Sequence, residues 1–233
     1  MALPKIDLPI YELELPSTGK KVKFRPFTVK EEKILLTAQE ADDPSQMILA
    51  IKQIVNNCLV DNTIDNLAVF DIEYLLIMIR SKSVDNKVEF EITDAETEEK
   101  VKLELDLSHV KVEKDPTHTN KVKISDDYTL FLKYPSVDSF SDMMVKEAQT
   151  AEDSYKVMIN CLDKLASEDE VFVFDDFTSK EVDNFVDSLH SDTIKEIKKF
   201  FDTLPKVRHE LKYINSKGDE KVFVIQGTES FFI

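Results

Sequence analysis

The sequence predicts an α+β protein: helical bundle portions with N- and C-terminal β-hairpins and a small β-rich middle insert. Three observations carry this. Apolar and charged residues alternate strictly at both ends of the chain and in its middle, as half-buried strands require. Between these stretches run segments with the 3.6-residue period of amphipathic helices. The 233 residues are 42% apolar, enough to pack a core for one large domain or two small ones. The pattern shifts divide the chain into residues 1–84 (hairpin plus three helices), 85–134 (β-rich middle) and 135–233 (acidic helical part with a C-terminal hairpin).

The chain opens with YELELPSTGKKVKFRPF, where Tyr11, Leu13 and Leu15 alternate with glutamates and Val22 and Phe24 with cationic residues. Ser17-Thr18-Gly19 turns between them, so a hairpin with one apolar face and pairable acidic and basic outer residues is expected. Thr28 with Glu31 reads as a capping box opening a helix on Ile34, Leu35, Ala38 and Ala41. Asp42-Asp43-Pro44 ends it, and a second helix carries Met47, Ile51, Ile54, Val55 and Cys58 on one stripe. A third, from about Leu67 to Ser83, is apolar on several sides and predicts a central buried helix.

In the middle, VEFEIT and KVKLELDL alternate around the polar loop Asp94–Glu99, with short strands expected at 109–113, 121–125 and 128–133. Two helices should follow, one carrying Val137, Phe140, Met143 and Met144, the next Tyr155, Met158, Ile159, Leu162 and Leu165. After an acid-flanked strand at Val171–Phe174, Thr178 and Glu181 form a second capping box. Helices on Val182, Phe185, Val186 and Leu189, then on Ile194, Ile197, Phe200 and Phe201, lead to a hairpin turning at Asn215–Asp219.

Thirty Lys and Arg stand against 46 Asp and Glu, a net charge of -16, which repels nucleic-acid phosphates and anionic lipid. No nucleic acid and no membrane are therefore expected as partners. The three glycines are scattered, so no phosphate-cradling loop can form. No signal peptide is visible, and the longest apolar run (residues 74–79) is far too short to span a bilayer. A soluble protein of a reducing cytoplasm is expected, its Cys58 and Cys161 acting as small buried hydrophobes.

No chemistry stands out. The four histidines lack the i, i+4 spacing of a zinc helix and no CxxC accompanies them. SEDEVFVFDD (167–176) lacks both the alternation of oxygen ligands and the glycine of a calcium loop, and reads as a strand with a solvated acidic rim. No pair of carboxylates is singled out for acid–base work, although an acid–base hydrolase is the enzymatic alternative. The expectation is a non-enzyme with no catalytic residue, cofactor or metal. Charge is lopsided: residues 138–192 hold fifteen acids and four bases, residues 1–35 seven bases and five acids. Such asymmetry suits a protein partner.

The blocks LPSTGKKVKFRPFTVKEEKILL (15–36), AIKQIVNNC (50–58), FDIEYLLIMIRSKSV (70–84), KYPSV (133–137) and DNFVDSL with FFDTLPKVRHELKYINSKG (183–218) resemble the T-even-type tailed-phage baseplate protein family. The likeness runs over nearly the whole chain, and the first block is its most specific part. It implies a hub assembly or structural protein of the contractile tail that works by protein–protein binding. The implied partners are other baseplate hub or tail proteins, in the host cytoplasm during assembly and in the virion tail baseplate, with a homo-oligomer also open. The alternative within the resemblance is a transient assembly chaperone, for example of the tape-measure protein, that is absent from the virion. Some related tail proteins carry a cysteine pair in the middle β region. The loop here, Asp94–Glu99, has none, so no metal is carried over.

The candidate partner-binding residues are Lys20, Lys21, Lys23, Arg25, Pro26 and Phe27, which join positive charge to an aromatic ring, and the terminal Phe231, Phe232 and Ile233. The bland reading is that Phe27 staples the first helix, the lysines solvate a hairpin and the tail tucks into the core.

Overall fold

A computed structural model describes residues 6–41, 43–61, 67–83, 86–137 and 150–226. The expected helix on Val137, Phe140, Met143 and Met144 falls, apart from Val137, outside the described residues, as do Phe231, Phe232 and Ile233. The fold is α+β, with small antiparallel sheets and hairpins near both ends.

In chain order the first elements are β1 (Tyr11–Glu14), β2 (Lys21–Phe24), α1 (Val29–Ala41), α2 (Pro44–Cys58), α3 (Val69–Ser83), β3 (Lys87–Thr93), β4 (Lys100–Asp106) and β5 (Lys111–Glu113). Then come β6 (Lys121–Lys123), β7 (Thr129–Leu132), α4 (Ala151–Asn160), β8 (Leu162–Ala166), β9 (Val171–Val173), α5 (Ser179–Asp187), α6 (Ser191–Asp202), β10 (Lys206–Ile214) and β11 (Glu220–Gln226). They form two compact units: residues 1–113 together with 206–233, and residues 114–205.

The first unit is built around α3. Phe70, Ile72, Leu75, Leu76, Ile77, Met78 and Ile79 are all buried, and the helix packs against α2, β5, β10 and the 3₁₀ turn Leu107–His109. A helix apolar on every side is stable only when so enclosed. Its first turn is tied to the opening hairpin: the Ser17 backbone N–H donates to Asp71 Oδ1 at 3.0 Å and the Ser17 hydroxyl donates to Oδ2. The hairpin itself needs Gly19 at φ +70°, a region that costs a side chain dearly. β1 and β2 pair with Glu12 opposite Lys23 and Glu14 opposite Lys21, as the alternating charges predict.

The C-terminal hairpin pairs Arg208–Ile214 with Glu220–Gln226, and Asn215 Oδ1 accepts from Lys217 and Asp219 N–H to hold the turn at Gly218 (φ +87°). The start of β10 also pairs with β5, Val207 facing Val112, which closes a three-stranded sheet. The β3–β4 turn docks on the same hairpin: Tyr213 Oη donates to Asp94 Oδ2 at 2.7 Å, and Lys217 and Lys221 reach Glu96. The Tyr213 hydroxyl, then the N–H groups of Thr97 and Glu96, hold the Asp94 carboxyl down at about 2.

The second unit is a four-stranded sheet, β6-β7-β8-β9, packed against helices. Val122, Leu130, Leu132, Met158, Leu162, Val182, Val186, Ile197 and Phe200 form its buried core. Sequence periodicity extends the helix that begins before Tyr155 through Leu162 to Leu165, and the structure corrects this. That helix, α4, ends at Asn160, and Leu162–Ala166 is a strand between β7 and β9. Apolar residues at 158, 159, 162 and 165 fit a helical stripe equally well. The decision falls to β7 and β9, which offer a ladder partner on each side.

α4 opens on a complete capping box. Thr150 Oγ1 accepts from Asp153 N–H at 3.2 Å, and Thr150 N–H donates back to Asp153 Oδ2 at 3.1 Å. Thr150→Ala is therefore expected to destabilise the second unit by about 1 kcal/mol. A urea midpoint that drops at constant slope would report it, and an unmoved midpoint would refute the cap's role.

Candidate functional site

The period of two along β2 decides what the corner presents. Val22 and Phe24 go into the core, and Lys21 and Lys23 go to solvent beside exposed Lys20. Lys21 reaches diagonally to Glu12 at 3.0 Å, and Lys23 approaches Asp61 at 3.8 Å; all four side chains are at least half exposed, so these pairs hold the comb in place more than they stabilise it.

The next three residues turn the other way. Pro26 is buried and Phe27 half-buried, its N–H donating to Ser83 Oγ at 2.8 Å. Arg25 forms a two-pronged pair with Glu31, Nη2 to Oε1 at 3.1 Å and Nη1 to Oε2 at 3.3 Å, and Nη1 also donates to Pro26 O at 2.8 Å. The Glu31 side chain is wholly buried. Thr28 N–H and hydroxyl both donate to Oε2, at 2.9 and 2.7 Å, and Asn57 Nδ2 stands 3.5 Å from Oε1. Burial alone would push this carboxyl up. Arg25 and the Thr28 donors outweigh it and hold the group at about 2. The capping glutamate read from sequence is thus also the counter-charge that draws Arg25 inward, and the exposed part of the corner is Lys20, Lys21 and Lys23.

Both cysteines are free and buried, with burial pushing the Cys58 thiol up to about 11 and Cys161 to about 12. Neither is a nucleophile at neutral pH. Among the described residues no three His, Cys, Asp or Glu side chains are grouped to hold a metal ion, and no helix is long and apolar enough to cross a membrane.

Residues 8–233 match the family described as T4 bacteriophage base plate protein. The chain belongs to that family. No curated protein and no solved structure gives a significant match. As a member of the T4 base plate family, the protein is a structural protein of the phage tail base plate, where other tail or base plate proteins are its neighbours.

Two features of this base plate protein escaped sequence reasoning. Asn57 and Asp61, which complete the environment of Arg25 and Lys23, lie more than thirty residues downstream of them and carry no local signal. The strand β9 also exposes its valines, where the sequence pattern predicts only a strand with a solvated acidic rim. The signal was there: five acids flank that run, with no base among residues 167–177.

Proposed function

We propose that this base plate protein is a hub assembly or structural component of the contractile tail, acting by protein–protein binding and without catalysis. The observation that carries the reading is the family match over residues 8–233, nearly the whole chain. The lopsided charge supports it, as does an exposed comb of three lysines held on a hairpin that is anchored to the core through Ser17 and Asp71.

Quantitative mass spectrometry of purified virions beside infected-cell lysate tests the structural role. The chain is expected in the particle at a fixed ratio to hub proteins. Abundance in lysate with absence from virions would replace this reading with that of an assembly chaperone that leaves. Hydrolytic activity abolished by one carboxylate-to-amide change, with binding intact, would overturn the non-enzymatic part.

The comb makes its own prediction. The triple variant Lys20→Glu, Lys21→Glu, Lys23→Glu is expected to reduce co-purification of hub proteins about tenfold or more at low salt, with the difference shrinking as salt rises. Equal recovery at every ionic strength would remove the corner from the interface.

A further inference from the structure

Among the described residues, nothing pairs with the far edge of β9, the last strand of the second unit's sheet. In the order β6-β7-β8-β9 this strand pairs with β8, with Leu165 opposite Phe172 and Lys164 opposite Val173. The hairpin that joins them closes with Ser167 N–H donating to Glu170 O at 2.9 Å. From that bonded pair the antiparallel alternation gives the next bonded pair as Leu165 and Phe172. The N–H groups of Val171 and Val173 and the C=O of Val171 therefore point away from β8, along the free edge, while the Val173 C=O turns into the 3₁₀ turn Phe174–Asp176.

The side chains at this edge are equally uncovered. Val171 is 61% exposed, Phe172 36%, Val173 38% and Phe177 42%, the two rings lying 6.4 Å apart. Phe172 stands on the sheet face of Leu165 and Leu130, while Val171 and Val173 stand on the opposite face, so both faces of the edge are apolar. A strand laid along it would bury side chains on each side and satisfy both outward amides.

Charge selects what lies there. Glu168, Asp169, Glu170, Asp175 and Asp176 bracket the strand, all exposed, with no base between residues 167 and 177. Two neighbouring cations are already engaged: Lys133 reaches Asp175 at 3.0 Å and Lys164 lies over the Phe131 ring at 5.1 Å. Edge-to-edge pairing of two copies would set acidic flank against acidic flank, which disfavours a second copy. A strand that carries Lys or Arg around an apolar centre meets the opposite sign.

We infer that the free edge of β9 is a docking site for an extended, Lys- or Arg-bearing segment of another protein, which adds to the sheet as a fifth strand. Backbone pairing to Val171 and Val173 supplies register, the exposed valines and Phe172 supply apolar contact, and the acidic flanks attract the segment. This site lies in a different unit from the Lys20–Phe27 corner and does not depend on the corner's role.

The test uses the full chain and a fluorescent seven-residue probe of alternating Val and Lys, beside the same probe N-methylated at every second amide. Saturable binding of the first probe is expected, about tenfold weaker for the methylated one, with new exchange protection at the Val171 and Val173 amides. Val173→Pro is the decisive variant. Val173 sits at φ -88° and ψ 123°, which proline tolerates, and its N–H serves no β8 partner. The substitution should leave the melting temperature unchanged and weaken the probe about tenfold. If the proline variant does not fold, Val171→Lys, which puts a like charge on the edge, must produce the same loss. Equal binding of both probes would mean charge attraction without strand addition and would overturn the inference. So would absence of saturable binding, or dimerisation of the chain through the same edge.

Discussion

Glu31→Ala is expected to destabilise the first unit by about 3 kcal/mol at neutral pH, the low end of what breaking a buried pair costs, because Arg25 keeps some contact with water. The loss has two parts. Arg25 is left against the core with the Pro26 carbonyl and the weakly accepting Cys58 sulfur, and the Thr28 N–H loses its acceptor. Chemical denaturation of wild type and variant measures it, and a loss under about 1 kcal/mol would show that Arg25 finds water instead.

The same pair predicts an acid response. The folded carboxyl sits at about 2 against an ordinary value near 4.5, so the unfolded chain binds the proton more readily. The contribution is complete above about pH 4.5 and is lost as pH falls from there toward 2. Glu31→Gln should accordingly flatten stability in that window relative to wild type. A parallel pH profile would mean that other carboxylates, such as Asp94 held by Tyr213, carry the whole effect.

Phe200→Ala is the larger lesion, expected to cost the second unit about 4 kcal/mol. Its ring is 2% exposed and lies 5.1 Å from His118, 6.0 Å from Tyr134 and 5.3 Å from Phe201, inside the core that joins α5 and α6 to the sheet. The cavity also strips packing from His118, whose Nδ1 bonds Thr203 Oγ1 at 2.9 Å and whose burial lowers its proton affinity. Hydrogen exchange locates the damage: amides of β7 should lose protection while those of β10 and β11 keep theirs. Uniform loss over the whole chain would show that the two compact units unfold together.

Much of this was legible because it is local. Thr28 with Glu31 and Thr178 with Glu181 announce helix starts, since a hydroxyl and a carboxylate three residues apart meet the orphan N–H groups of a first turn. The opening hairpin follows from alternating sign on facing strands, and the burial of α3 from apolar residues on every side. The corner was half legible. Which residues of β2 face out follows from a period of two, but the inward swing of Arg25 needs Glu31 and Asn57 to arrive from two different helices.

What the sequence determined by itself was the α+β class, the hairpins, the capped helices, the asymmetry of charge and, through blocks spread over most of the chain, the base plate family. Each is carried by residues within a few positions of one another or by the order of such blocks. Tertiary structure decided the rest. Leu162–Ala166 became a strand because β7 and β9 flank it, against a periodicity that fitted a helix. Residues 206–208 returned to the first unit because they pair with 111–113, a contact across more than ninety residues. Among the described residues the sheet ends at β9 for the complementary reason: no neighbouring residue signals that a strand will be last in its sheet.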